Sequence, residues 1–430
     1  MRKAAGGLMS MLEQGHVADV PHEAEASSRA GTLPVVFADF KAVTLSPPIP
    51  QDELLDCVAH WMAVARCVSR GIGSEPQKTA VFRSTKKRIE RYCASSEHIS
   101  QRQACILDTA DTRRNERLEF LAPPAPYTNI YDNPAGKTWD KRRTLFERTA
   151  LSAFELCYEE SEQPPPDEII HVTCTGYTSP SSAQVFLSKQ GWFQTGVTHA
   201  YHMGCYGAFP AIRMACGLLA ASYASLPTPK DRVDIIHTEY LSLHVDFLAH
   251  DPGNYVMNTL FGDGFIKYSA YPLLKFLPSN KRGLKLLAIQ ERLVPNSLDE
   301  MTVKPGLYSF DEMVSKNVPD IIYAHIKEFM IDLCHQARID FNAEKQDLVY
   351  AIHPGGPAIV SKAREALGVD ESKMWISRDI LDQHGNMASA TAPHMWQKIV
   401  ETNAIPAGAK IVSAAFGPGL TVIGAVFEKI

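Results

Sequence analysis

Asp347-Leu-Val-Tyr-Ala-Ile352-His353-Pro354-Gly355-Gly356-Pro357, followed by Ala358 to Leu367, reads as a strand, a rigid loop and a helix. Its apolar residues are continuous rather than alternating, which marks a strand covered on both faces. The same order recurs upstream, where Glu168-Ile-Ile-His-Val-Thr-Cys174 runs into a loop with Gly176 and Pro180. Asp234-Ile-Ile-His-Thr-Glu239 is another buried strand, and Val35-Val36-Phe37 starts the first. Ala409 to Ile430 reads as two strands joined at Gly417-Pro418-Gly419. Strand, loop and helix thus recur in both halves, an α/β pattern. Segments 168–180 and 347–357 look like counterparts of an internal duplication.

Helices are expected from Glu53 to about Val68 behind a capping Asp52, through the basic stretch 84–93, and over about 142–160, where Pro164-Pro165-Pro166 ends the run. Residues 206–224 are apolar on nearly every face and predict a fully buried helix. Residues 121–140 read as a surface loop. Residues 1–33, polar and without periodicity, read as a flexible extension.

The 430 residues predict two domains or one large double unit. Hydrophobic residues are 45 % and charged residues 21 %, which supports a sizeable core and excludes wholesale disorder. Lys and Arg number 43 against 48 Asp and Glu, and a net charge of −5 gives no electrostatic case for nucleic acid. No apolar run approaches the ~18 residues of a membrane span. Nine cysteines, an odd count without CxxC, predict free thiols rather than a disulfide scaffold or a zinc site. Met1-Arg2-Lys3 and the short stretch Ala4 to Leu12 make a poor signal peptide, so the expected location is cytoplasmic.

Three residues could carry chemistry. Cys205, in His202-Met203-Gly204-Cys205-Tyr206-Gly207, stands where a loop enters the apolar helix. A helix N-terminus stabilises thiolate, and flanking glycines admit a carbonyl; the bland reading is a core cysteine, of which Cys216 is the example. His353 follows a buried strand, where open α/β folds bind ligands; the alternative is a structural histidine. Asn386, in His384-Gly385-Asn386-Met387-Ala388-Ser389, is an amide donor or a helix cap. Jointly they supply a nucleophile, a base and an oxyanion donor.

These motifs resemble the type III polyketide synthases, chalcone-synthase-like enzymes of the thiolase superfamily, in their bacterial form. The resemblance rests on Met203-Gly204-Cys205, Leu260-Phe261-Gly262-Asp263-Gly264, His353-Pro354-Gly355-Gly356-Pro357, Gly385-Asn386-Met387-Ala388-Ser389 and Phe416-Gly417-Pro418-Gly419-Leu420-Thr421, in order over about 35 to 430. It implies a thiolase-like α/β fold of two related βαβ-rich halves in five αβαβα layers, residues 34–270 with the nucleophile and 271–430 with His and Asn. It implies that Cys205 takes an acyl starter as a thioester, while His353 and Asn386 bind the extender's carbonyl and drive decarboxylation of malonyl thioester. Phe261 matches a gatekeeper aromatic; Gly356, Gly417, Pro418 and Gly419 would shape the cavity wall. Cys174 falls where plant members carry Thr, and Ser179 where they place a Met crossing a dimer interface. Lys87, Arg88 and Arg102 are candidates for CoA phosphates, against a plain solvated helix face. The substrates implied are malonyl-CoA and acyl-CoA, or acyl carrier protein thioesters, with no tightly bound cofactor and no metal. A pyrone, resorcinol or phloroglucinol type product and a homodimer follow from the same likeness.

Other readings stand beside it: a single Claisen condensation as in ketoacyl synthase III-like enzymes, a Cys-His thioester hydrolase, and a non-catalytic dimer partner. A nicotinamide site is excluded, because Ala415-Phe416-Gly417-Pro418-Gly419 is not G-x-G-x-x-G and lies between strands.

Overall fold

A computed structural model describes residues 33–107, 138–159, 161 and 163–430. The expected extension over 1–32 and most of the expected loop at 121–140 lie outside the described residues. The backbone of the fold is one nine-stranded sheet. In chain order its strands are β1 (Val35–Val43), β2 (Glu168–Thr173), β3 (Gly196–Tyr201), β4 (Val233–Glu239), β5 (Gly264–Pro272), β6 (Leu284–Leu293), β7 (Val349–Ile352), β8 (Lys410–Gly417) and β9 (Thr421–Lys429). In space the order is β7-β8-β9-β6-β1-β5-β4-β2-β3.

The join at the centre is narrow, since β1 meets β6 only through Val36 opposite Lys285 and Phe37 opposite Leu284. Outward from it the two sides follow one plan. On one side β1, β5 and β4 alternate in direction and β2 then runs parallel to β4. On the other, β6, β9 and β8 alternate and β7 runs parallel to β8. β2 and β7, the two strands that read as counterparts, occupy equivalent places, and each ends at a loop that carries a candidate residue, Cys174 and His353.

Two helices, Ala208–Ser225 and Thr391–Glu401, touch at Phe209 and Trp396, whose rings lie 5.4 Å apart. Fully buried Trp396 also meets Tyr268 of β5 and Phe427 of β9 and donates from Nε1 to Ser413 Oγ of β8 at 2.9 Å. It therefore ties both sides of the sheet to one middle layer. Trp139–Tyr158 covers the first side of the sheet from outside, and Val318–Gln336 with Pro357–Leu367 covers the second.

Local details depart from sequence expectation. The first helix runs Gln51–Ser69 behind Pro50, and Asp52 lies in its first turn rather than at its cap. The basic stretch is the end of a longer helix, Glu75–Tyr92. Ala208–Ser225 is not buried all round: its first five residues are, but Arg213, Gly217, Ala221 and Tyr223 are exposed. Small apolar residues on that face mislead a reading from hydrophobicity alone.

Candidate active site

Cys205 stands in a tight turn, Gly204–Tyr206, just ahead of the middle helix. The turn needs glycine. Gly204 has φ +67°, and a Cβ there would stand 2.7 Å from Pro418 Cδ. Gly417 is equally constrained, because an added Cβ would fall 2.1 Å from Tyr206 Cδ1. Gly417 and Pro418 thus press against the nucleophile's turn, and Gly419, with φ +94°, turns the chain into β9.

Asn386 is held by its backbone and its side chain together. Its N–H donates to Leu260 O and its carbonyl accepts from Gly262 N–H, both at 3.0 Å. Its Oδ1 accepts from Ala388 N–H at 2.9 Å. Both amide atoms lie 3.9 Å from Cys205 Sγ, Oδ1 as an acceptor for the thiol and Nδ2 as the donor toward the sulfur. The cap acceptor and the donor toward the sulfur are therefore different atoms of one side chain. Close approach here again demands glycine: a Cβ on Gly262 would meet His384 O at 2.3 Å.

His353 is 1 % exposed, and neither ring nitrogen has a hydrogen-bond partner among the described residues. A buried polar group left unpaired costs ~1–3 kcal/mol, so such a ring marks a place made for a ligand. Burial holds it neutral, with its pKa lowered to about 3. Cys205 departs from the thiolate expected at a helix N-terminus. Burial first, and then the charge of Glu312, raise its pKa to about 12, and Asn386 opposes this. Desolvation outweighs the helix dipole, whose effect is ~0.3–2 kcal/mol. The resting pair is thiol and neutral imidazole.

Phe261 pairs with Asn386 across an isolated bridge and lines a cavity of about 220 Å³. Leu241 and Phe261 border that cavity and also pack in one apolar cluster with Cys174, Ala388 and Cys205, so they stand between it and the sulfur. Cys174 is buried, with Sγ 3.3 Å from Glu239 Oε2 and its N–H bonded to the same carboxylate. Gly356 opens the helix that follows His353, near Leu260. Ser179 is exposed, on the surface loop before Pro180.

The three proposed CoA cations separate. Lys87 and Arg88 are exposed on Glu75–Tyr92. Arg102 is a correction: it is 3 % exposed and donates to Gln51 Oε1, Phe261 O and Asn258 O, leaving no surface for a diphosphate. Its place is behind Phe261, whose backbone it fixes. Sequence reasoning missed His244, Glu239 and Glu312. Glu239 is fully buried at the end of β4, with its pKa raised to about 7 by burial. A carboxylate closing an apolar strand was the available signal for it; Glu312, in an ordinary mixed strand, offered none.

Residues 285–430 match the family of chalcone and stilbene synthases, C-terminal domain. The 1,3,6,8-tetrahydroxynaphthalene synthase of Streptomyces coelicolor is 26 % identical over 304 residues, 69 % of this chain and 76 % of that protein. Alpha-pyrone synthesis polyketide synthase-like Pks18 of Mycobacterium tuberculosis is 26 % identical over 271 residues, 61 % of this chain and 65 % of its own length. In a probable polyketide synthase of Dictyostelium discoideum, 25 % identical, the matched part is 53 % of this chain but 7 % of that much longer protein. Among solved structures, PKS-I from the brown alga Ectocarpus siliculosus superposes with a TM-score of 0.74 at 20 % identity, covering 94 % of this chain and 100 % of that one. The Streptomyces coelicolor synthase gives 0.69 at 21 % identity over 91 % of this chain and 99 % of its own. The thiolase-like fold expected from the motifs is thereby present over nine-tenths of the molecule, and residues 285–430 carry the chalcone and stilbene synthase C-terminal domain.

Proposed function

We propose that the protein is a decarboxylative condensing enzyme that loads an acyl starter on Cys205 and extends it with malonyl units. The observation that carries this is an oriented amide donor, Asn386 Nδ2, 3.9 Å from the half-buried Cys205 thiol; His353, at the end of β7 and without a ring partner among the described residues, is read as the base.

Loading begins when His353 takes the thiol proton as Cys205 attacks the starter's thioester carbonyl, neither group being charged beforehand; the adduct collapses with loss of the carrier thiolate, which takes that proton back from His353. Once the sulfur is acylated, His353 Nε2 and Asn386 Nδ2 are the donors for the extender's thioester oxygen. Loss of carbon dioxide places negative charge on that oxygen, and preorganised donors in a dry site stabilise it. The carbanion attacks the acyl-Cys205 carbonyl, the sulfur leaves, and the chain is longer by two carbons. Phe261 guards passage to the cavity. The cavity that Phe261 lines has a volume of about 220 Å³.

Delivery by CoA is the favoured route. Among the described residues Arg66, Arg70, Lys87 and Arg88 form no ion pair, and the Arg66, Arg70 and Arg88 charges act together on His250 beside the cavity. Carrier protein delivery would use the same basic face. A homodimer is supported by β3, which has no second partner strand among the described residues, and by the exposed face of Ala208–Ser225. Among the described residues no helix is long and apolar enough to cross a membrane, and a cytoplasmic location is part of this reading.

The test is incubation with malonyl-CoA and a panel of short, long and aromatic acyl-CoA and carrier thioesters. Acylation mapped to Cys205 with products longer by several two-carbon units is expected. One round of extension would point to the ketoacyl-synthase-like reading. No acylation from any donor would refute the proposal.

A further inference from the structure

Cys205, His353 and Asn386 leave one ionisable group of the cavity without a task. Glu312 lies on the strand Phe310–Val314, opposite Val303 of Met301–Pro305. Side chains alternate along a strand, so Glu312 shares the face of Phe310, whose ring stacks on His244 at 4.4 Å. Glu312 accordingly lines the cavity with Phe261, Ser242, His244 and Ser309. Its carboxyl makes no hydrogen bond or ion pair with a described residue. Its charge nevertheless reaches both thiols: it is the largest influence on Cys205 after burial, and it acts on Cys174 too.

The other ionisable groups around the cavity are occupied or outward-facing. His244 bonds Thr175 O through Nε2 at 2.7 Å and accepts Phe310 N–H on Nδ1 at 3.1 Å. Glu239 holds Cys174 N–H and Ser389, and Arg102 is used up on Gln51, Phe261 and Asn258. Asp246 accepts from Leu248 N–H and Asp251 from Asn254 N–H, while Asp311 is exposed at the rim. Burial, followed by repulsion from Glu239, raises the Glu312 pKa to about 7, which suits a group that both takes and returns protons near neutrality.

We propose that Glu312 is a further catalytic residue, the acid–base group that closes an extended β-polyketone chain by carbon–carbon bond formation. This rests on the condensing reading, because only extension puts such a chain in the cavity. The carboxylate takes a proton from a methylene flanked by two carbonyls. The enolate carbon then bonds to a ketone carbonyl of the same chain, whose π electrons move to oxygen. That alkoxide takes the proton back from the Glu312 carboxyl. Glu312 ends as it began, and nothing is oxidised or reduced.

Two measurements test it. Iodoacetamide alkylation of Cys205 needs no substrate. In Glu312→Gln the lost negative charge lowers the thiol pKa, and the alkylation rate at a fixed alkaline pH rises about threefold or more; an unchanged rate overturns the placement. The second readout is the ratio of carbon-closed products to lactones, formed from a starter thioester and malonyl-CoA across neutral pH. The wild-type ratio rises through about pH 7. Glu312→Gln lowers it about a hundredfold and flattens the profile, and Glu312→Asp restores an inflection. A ratio or inflection that survives in Glu312→Gln, or a wild-type enzyme releasing only lactones, overturns the proposal. Failure of Cys205 acylation in the wild type would refute the condensing reading instead, and alkylation would still decide whether Glu312 faces the sulfur.

Discussion

Replacing Asn386 separates its two jobs. Its Oδ1 satisfies Ala388 N–H at 2.9 Å, and its Nδ2 faces Cys205. In Asn386→Ala both are lost. The first loss is that of a capping acceptor, worth about 1 kcal/mol of stability. The second removes one of two donors for the enolate oxygen, which costs ~10²–10³ in rate, or about 2.7–4 kcal/mol of barrier. In Asn386→Asp an oxygen still accepts from Ala388 N–H, but the donor becomes an acceptor and brings negative charge toward a developing anion. The kinetic loss is therefore at least as large while the cap survives. The assay is carbon dioxide release from malonyl-CoA, with thermal unfolding alongside. Rates down by two orders of magnitude or more in both variants, with the larger stability loss in Asn386→Ala, are the expected outcome. A rate change below tenfold in Asn386→Asp would refute the donor assignment and leave Asn386 a cap.

Cys205→Ala should abolish acyl-enzyme and extension, seen by intact mass; Cys205→Gln, which mimics an acylated thiol, should keep decarboxylation running. Arg102→Met leaves three buried acceptors unpaired and should destabilise by ~3–5 kcal/mol in denaturant unfolding. Gly417→Ala puts a methyl 2.1 Å from Tyr206 Cδ1 and should cost ~1–3 kcal/mol, with slower acylation as the nucleophile's turn shifts. Stability should fall as pH drops below about 6.5. His171, His244, His353 and His394 have pKa values lowered to about 3 by burial, so the unfolded chain binds protons first. Glu239 and Glu312, raised to about 7, act with the opposite sign between about 4.5 and 7, but two carboxyls do not offset four imidazoles. A melting temperature that rises from pH 6.5 to 5 would contradict this.

The fold was legible where burial leaves a one-dimensional trace. β2, β4 and β7 are covered on both faces, so their apolar runs are unbroken, and each was read within a residue or two. The pairing of β1 with β6 was not legible, because two residue pairs leave no pattern. Cys205, His353 and Asn386 stand out in the sequence because each sits in a loop whose glycines are forced by contacts under 3 Å or by positive φ. Arg102 could not be read correctly. A cation in a polar stretch looks solvated, and only the fold brings Phe261 O and Asn258 O, more than 150 positions away, to its guanidinium. Glu312 escaped because a strand with two acids and a methionine looks exposed until Phe310 is seen stacked on His244.

The buried place of Arg102 has a consequence for how the site works. Arg102 anchors the chain that carries Phe261, and that chain is bonded in both directions to Asn386. In the proposed roles, gate and oxyanion donor therefore move as one piece. A substrate that displaces Phe261 strains the bonds that hold Asn386, and the donor is in place only when the gate is seated. Nothing comparable links Asn386 to His353, whose nitrogens are unpartnered among the described residues. Loosening the anchor should thus affect decarboxylation, which needs Asn386, more than starter loading, which needs Cys205 and His353. Arg102→Lys tests this with less damage, since an ammonium on a shorter stem keeps the charge but cannot fork to three acceptors. The expected result is a fall in carbon dioxide release several times larger than the fall in acylation rate of Cys205. Equal losses in the two half-reactions would show that Arg102 holds the fold and not the donor.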